Sequence, residues 1–303
     1  MTERMNIGGQ AVIEGVMMRS PNWIATAVRK PSGEIVYKRT KISDRVNRIS
    51  KIPFIRGTFS LFEALVTGVR ELTFSASQAD EGEQELTKKQ AVLTTVVSLA
   101  LGILIFIGLP SVLSGFLFKN NRLYANLFES LFRLALFVFY IWVITFYADV
   151  RRVYEYHGAE HKSIAAYENF AELKPETAQR YTKLHVRCGT SFLLTVMVIA
   201  IVVFSLVDFF VTPPAGQLAR ILQRFGLRIL VMPLIAGISY ELQRYSSRHM
   251  DKKWVRLLVS PGLLLQKITT REPDLSQLEV AIVAIKASLD EQIDNAREIE
   301  VKP

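Results

Sequence analysis

From Ala91 to Phe118 the chain reads AVLTTVVSLALGILIFIGLPSVLSGFLF, without one charged side chain. An apolar run longer than about 20 residues reaches across the hydrocarbon core of a bilayer as a helix. Once one such segment is present, the rest of the chain has to be read as a membrane protein. A second run extends from Leu123 to Ala148, carrying Tyr140, Trp142 and Tyr147; its outer turns hold Glu129 and Arg133 at i, i+4, where they can pair. A third, Gly189 to Val207, is uncharged and is stopped by Asp208 and the Pro213-Pro214 pair. The fourth, ILVMPLIAGISY between Arg228 and Glu241, is about a dozen residues, a length that also suits a re-entrant segment. A snorkelling Arg228 extends it, and it is taken as a span.

Composition agrees, with half of the residues hydrophobic and a mean hydropathy of +0.23. The start, MTERMNIGGQ, has no apolar stretch behind basic residues, so no cleaved signal peptide is expected. Lysines and arginines orient the spans: 14 precede Ala91, 7 lie between Asp149 and Cys188, and 10 follow Glu241. The loops between spans one and two and between three and four hold only Lys119 and Arg122, and Arg220, Arg224 and Arg228. Both termini and the central loop are therefore expected in the cytoplasm. The net charge of +9 belongs with anionic lipid, and no aromatic-basic motif accompanies it, so nucleic-acid binding is not expected. The single Cys188 excludes an intramolecular disulfide framework.

The expected fold is an α-helical integral membrane protein of about four transmembrane helices, with a small cytoplasmic N-terminal β-rich region and a C-terminal amphipathic helix. The expected divisions are 1–51 β-rich, 52–90 interfacial helix and acidic linker, 91–148 spans one and two, 149–188 a cytoplasmic His/Cys loop, 189–240 spans three and four, and 241–303 cytoplasmic. WIATAVRK and EIVYKRTK flank Pro31-Ser32-Gly33 as a hairpin, and Ile7 to Met18 adds a strand. Ile52 to Phe74 suits an interfacial or re-entrant helix, with a soluble core helix as the alternative. Ser276 and Glu279 read as a capping box opening the amphipathic helix EVAIVAIKASL, expected to pack on the cytoplasmic domain.

Three of the four histidines and the only cysteine fall in the 149–188 region. His157 and His161 are four apart, so on a helix both imidazoles leave one face and can grip one divalent ion. With Glu160 between them they fit the H-x-x-E-H pattern, in which the glutamate is the general base. His185 and Cys188 can supply two further ligands, and thiolate with imidazole suits zinc. Two alternatives stand beside this: Cys188 as a nucleophile with His185, and Glu160 paired with Arg187 rather than acting as a base. The glycine-rich segment Gly8–Gly15 fits no phosphate loop; its glycines read as close-packing positions, with Glu14 and Arg19 as possible site groups. Glu241 is either a counter-charge, the favoured reading, or an oxygen ligand.

Six segments carry a family resemblance: GGQAVIEGVMMR from Gly8, PFIRG from Pro53, YHGAEHK from Tyr156, HVRCGTSF from His185, AGISYEL from Ala236 and PGLLLQKITTREP from Pro261. In these the chain resembles the YqhQ-like bacterial integral membrane proteins of unknown function, sometimes described as metal-dependent enzymes. The resemblance implies a multi-pass protein of the bacterial cytoplasmic membrane and supports the same histidine site. The leading expectation is a metal-dependent hydrolase at the cytoplasmic membrane face, with a zinc-like ion on His157, His161, His185 and Cys188. Since a catalytic zinc keeps one position open, one of those four then stands outside the ligand set. The alternative is a non-enzymatic assembly protein that binds another membrane protein and carries a structural metal.

Overall fold

A computed structural model describes residues 4–43, 52–53, 55–79, 88–119, 121–212 and 214–300. The N-terminal strands form an antiparallel meander, β1 (Gly8–Val12), β2 (Gly15–Arg19), β3 (Trp23–Arg29) and β4 (Ile35–Lys41). The expected hairpin turn is present, with Gly33 at φ 89°. The single strand expected over Ile7–Met18 is instead two, broken at Ile13-Glu14, where Glu14 takes a positive φ of 51°. A fifth strand, β5 (Arg297–Glu298), returns from the far end of the chain to pair parallel with β4.

Alternation places Val16, Met18, Ala25, Ala27, Ile35 and Tyr37 on one face of the sheet, and Met17, Ile24, Val28 and Val36 on the other. Helix α1 (Ile55–Ala79) covers the second face. There Glu71, fully buried, accepts from Thr26 Oγ1 at 2.6 Å and pairs with Lys38 at 3.0 Å. Burial pushes the Lys38 ammonium down from its ordinary pKa, and Glu71 opposes that shift. The outer side of α1 leaves Leu61, Phe62, Leu65 and Val66 exposed, and its N-terminal turn packs on the fourth long apolar helix. At that crossing a Cβ on Gly57 would lie 2.8 Å from Gly237 Cα.

Among the described residues, four helical runs are long and apolar enough to cross a membrane: Val92–Leu117, Tyr124–Ile144, Gly189–Phe210 and Leu218–Arg248. The first comprises α2 (Lys88–Ile103), a π-helical turn (Leu104–Gly108) and α3 (Leu109–Leu117). The others are α4 (Arg122–Ile144), α7 (Gly189–Phe210) and α8 (Gln217–Arg248). Helix α8 is far longer than its apolar stretch: Arg220, Arg224 and Arg228 lie within the helix rather than in a loop. Most of the acidic linker expected between Gln78 and Lys89 lies outside the described residues, as does Pro213 of the stop signal after the third run.

The extra length of α8 is explained by partners on the other long helices. The expected Glu129–Arg133 pair forms at 2.6 Å, and Glu129 also pairs with Arg228. Arg228 donates to Ser111 Oγ at 2.8 Å, and Arg224 to Asn126 at 2.6 Å. Pro110 has no N–H to offer the carbonyl four residues back; that carbonyl, Phe106 O, accepts from Arg133 Nε at 2.8 Å. The π turn and the Arg133 hydrogen bond both fall beside the carbonyl that Pro110 leaves without its helical partner.

Helix α5 (Ala148–Glu168) follows, then a short turn α6 (Pro175–Ala178). After α8 come α9 (Lys253–Thr269), which the hydropathy reading did not separate, and α10 (Leu275–Ser288). Helices α5 and α10 cover the first face of the sheet. The capping box of α10 is Asp274 with Gln277, not Ser276 with Glu279: Asp274 Oδ1 accepts from Gln277 N at 2.8 Å and Gln277 Oε1 accepts from Asp274 N at 3.0 Å. Ser276 falls inside the first turn, and Glu279 pairs instead with Arg29 at 2.8 Å. Packed between sheet and α5, α10 is buried on nearly every side rather than one.

Candidate metal centre

The site is built on the central turns of α5. Gly158 lets this helix approach the chain after α9 so closely that a Cβ there would fall 1.9 Å from Arg271 O. One turn back, Tyr154 O accepts from Arg271 N at 2.9 Å. The neighbours of Gly158, His157 and His161, stack edge to face with ring centroids 4.4 Å apart, as the i, i+4 spacing requires.

Each imidazole is fixed from behind. His157 Nδ1 lies 2.8 Å from Thr269 O and His161 Nδ1 2.6 Å from Lys183 O. A carbonyl only accepts, so each Nδ1 carries the proton and each Nε2 is left with its lone pair. Cys188 Sγ stands 3.3 Å from His157 Nε2 and 3.1 Å from Thr190 Oγ1. The donor atoms of His157, His161 and Cys188 all lie within 4.8 Å of one another. Tetrahedral zinc with Zn–N near 2.0 Å and Zn–S near 2.3 Å sets donors about 3.5 Å apart. The His157–Cys188 separation already meets that distance. Carbonyl oxygens behind both imidazoles are the customary outer support of metal-bound histidine.

Cys188 is positioned as the residue preceding α7. Gln266 of α9 holds the approach to it, accepting from His185 N at 2.8 Å and donating to His185 O at 2.7 Å and Ser191 Oγ at 2.6 Å. Gln243 of α8 donates to Cys188 O at 3.1 Å. No motif in the sequence assigns a role to Gln266, Thr269 or Lys183; the PGLLLQKITT run is the one signal that the region of Gln266 and Thr269 matters.

His185 stands apart from the three donors. Its ring centroid is 5.6 Å from that of His161, and its Nε2 faces Glu168 Oε2 at 3.5 Å. Arg187 pairs with Glu168, not with Glu160. Burial pushes the Glu168 carboxyl up, but its His185 hydrogen bond and Arg187 outweigh that and hold it below the ordinary value. Glu160 is buried under β1, where a Cβ on Gly9 would come within 2.9 Å of its Cγ and Oε1. Burial raises its pKa against the opposing influence of His157 and His185, and its Oε2 has no hydrogen-bond partner among the described residues. Burial likewise lowers the pKa of His161, against its hydrogen bond to Cys188.

The other candidates lie elsewhere. Glu14 pairs with Arg152 and is 3.2 Å from Tyr156 Oη, and Arg19 pairs with Glu63 at 2.9 Å. Glu241 pairs with Arg56, Nε to Oε1 at 2.7 Å, which is the counter-charge arrangement. His249 stacks on Tyr245 with centroids 4.1 Å apart, away from the cluster.

A family described as "Protein of unknown function (DUF1385)" matches residues 52–291. The chain is also 35% identical over 293 residues to "Uncharacterized protein YqhQ" of Bacillus subtilis (strain 168), covering 91% of this chain and 89% of that protein. No solved structure matches.

Proposed function

The chain belongs to the DUF1385 family of proteins of unknown function, and from the geometry of its donor cluster we propose a membrane-embedded metalloprotein, a hydrolase working at the cytoplasmic membrane face. In this reading His157, His161 and Cys188 hold a zinc-like divalent ion. The four long apolar helices cross the bacterial cytoplasmic membrane, and both termini lie inside. The supporting observation is the convergence of three donors within 4.8 Å, with both imidazoles committed through Nδ1 to carbonyl oxygens. Three protein ligands leave one coordination position open, as in catalytic zinc sites.

Such an ion, when bound, supplies a Lewis acid that polarises a carbonyl or phosphoryl oxygen and acidifies water. The chain's own groups do the remainder. Thr269 O and Lys183 O fix ring orientation, and Gln266 fixes the segment that carries Cys188. Glu160, whose affinity for a proton is raised by burial, is the acceptor. His185 stays outside the ligand set, held by Glu168.

One observation favours a second reading, a structural metal in an assembly protein that binds another membrane protein: His161, Cys188 and Glu160 are all buried. Elemental analysis of purified protein tests the common ground. His157→Ala, His161→Ala and Cys188→Ser each lower bound metal by at least the ~10–100-fold seen for lost outer support, whereas His185→Ala retains it. Stoichiometric metal in the His157/His161 double variant, or none in protein purified without chelator, removes both readings. Glu160→Gln then separates them, since it retains metal in either case and lowers hydrolysis only in the first.

A further inference from the structure

Helix α9 has two unlike faces. Val255, Gly262, Leu265, Gln266 and Thr269 are buried. Trp254 is 53% exposed, Leu257 76%, Leu258 44% and Leu264 57%, at i, i+3, i+4 and i+10, which is one apolar stripe. The helix does not stand out in water alone. Gly262 crosses the first turn of α7 so tightly that a Cβ would lie 2.8 Å from Ser191 Cβ, and Gln266 bonds the same serine. At its other end Trp254 stacks on Tyr245 in the last turns of α8, centroids 5.9 Å apart. Helix α9 therefore lies across the ends of two long apolar helices.

The charges around the start of α9 are mostly basic, with Asp251 the one acid among them. Arg248, Lys252, Lys253 and Arg256 cluster around the start of α9. Lys252 contacts the hydroxyl and ring of Tyr245, and Arg256 a backbone carbonyl, all neutral groups. A helix with one exposed apolar face, an interfacial tryptophan and a basic edge is built to lie in the plane of a membrane, its apolar side about 5–10 Å into the headgroup–acyl boundary.

We propose that α9 is an in-plane anchor for the anionic leaflet, with Trp254, Leu257, Leu258 and Leu264 among acyl chains and Arg248, Lys252, Lys253 and Arg256 on lipid phosphates. This rests on the reading that the four long helices cross the membrane. The anchor also sets the depth of the candidate metal centre, because Thr269, the last residue of α9, carries the carbonyl that holds His157.

The test places single nitroxide labels at Leu101, Lys253, Leu257 and Leu264 of the full chain, each through a new cysteine, with one protein per nanodisc of mixed phosphatidylcholine and phosphatidylglycerol. Cys188 is buried and stays in place, the parent protein serving as background. Labels at 257 and 264 are expected to meet oxygen more than a neutral nickel chelate, and the label at 253 the reverse. Chelate access at 257 and 264 equal to that at 253 overturns the anchor, as does shielding from both reagents, which means a protein covers the stripe. The label at Leu101 separates the failures: oxygen-rich there with chelate-rich at 257 sinks the anchor alone, while chelate-rich at both sinks the membrane reading too. For the charges, the Lys252→Gln, Lys253→Gln, Arg256→Gln triple variant should lose its preference for spin-labelled phosphatidylglycerol several-fold, up to about fivefold per charge. An unchanged preference overturns the phosphate contact.

Discussion

Replacing Gly158 with alanine sets two physical effects against each other. Gly158 is inside α5, where alanine is favoured over glycine by about 1 kcal/mol on helix propensity. Propensity alone therefore predicts a more stable protein. The structure predicts the opposite, because the added Cβ would lie 1.9 Å from Arg271 O and 3.3 Å from Pro273 Cδ. A backbone carbonyl cannot swing aside like a side-chain tip, so helix and segment must part by more than about 1 Å to restore van der Waals contact. Overpacking of this kind costs about 1–3 kcal/mol. The parting also strains the bond from Arg271 N to Tyr154 O, worth about 0.5–1.5 kcal/mol. Less the propensity gain, Gly158→Ala is destabilised by about 0.5–3.5 kcal/mol, a fall in Tm of roughly 1–6 °C for a chain of this size. Thermal unfolding of the purified protein in one detergent, at one scan rate, measures it. Gly226→Ala is the control, since a Cβ there meets nothing within 4 Å; it should be neutral or slightly stabilised. A Gly158→Ala protein as stable as the parent, with Gly226→Ala also gaining, would show that the close crossing of α5 and residue 271 is not there.

The remaining expectations concern charge. Glu129→Gln leaves Arg133 and Arg228 without their shared carboxylate and should cost about 3–5 kcal/mol, read as a large loss of Tm; a loss under 2 °C would mean that the cluster is hydrated rather than buried. Glu160 has a raised folded pKa, so its contribution to stability is present below its unfolded value of 4.5 and is lost as pH rises through the folded value. Glu160→Gln in chelator-treated protein should therefore raise Tm at pH 8 and raise it less at pH 5, and a gain independent of pH would refute the burial argument. Pro110→Ala supplies the missing N–H to Phe106 O, so the π turn should relax toward α-helix and Arg133 lose its carbonyl acceptor; an unchanged amide-exchange rate at residue 110's turn relative to its neighbours would argue against this.

How far the sequence reached depended on the range of the force involved. Hydrophobic runs and turn chemistry act over a few residues, so the long apolar helices, the Gly33 hairpin and the pairing of Glu129 with Arg133 could be read directly. The period-two pattern of β3 and β4 was equally legible. The i, i+4 histidines on α5 were also local, since helical geometry alone brings their rings together. The length of α8 was not, because hydropathy counts Arg224 and Arg228 as loop until Glu129, Asp208 and Asn126 on other helices are seen beside them. Nor was the choice among four donors: His157, His161, His185 and Cys188 are equivalent as a spacing pattern. Only tertiary packing turns His185 toward Glu168 and brings Cys188 to 3.3 Å from His157. The groups that position these side chains include a backbone carbonyl at Thr269 and an amide at Gln266, more than 75 residues from the residues they hold. A carbonyl oxygen belongs to every residue alike, so the sequence carries no mark of which one will stand behind a histidine; that is decided when α9 docks across α7 and brings its last turn to α5.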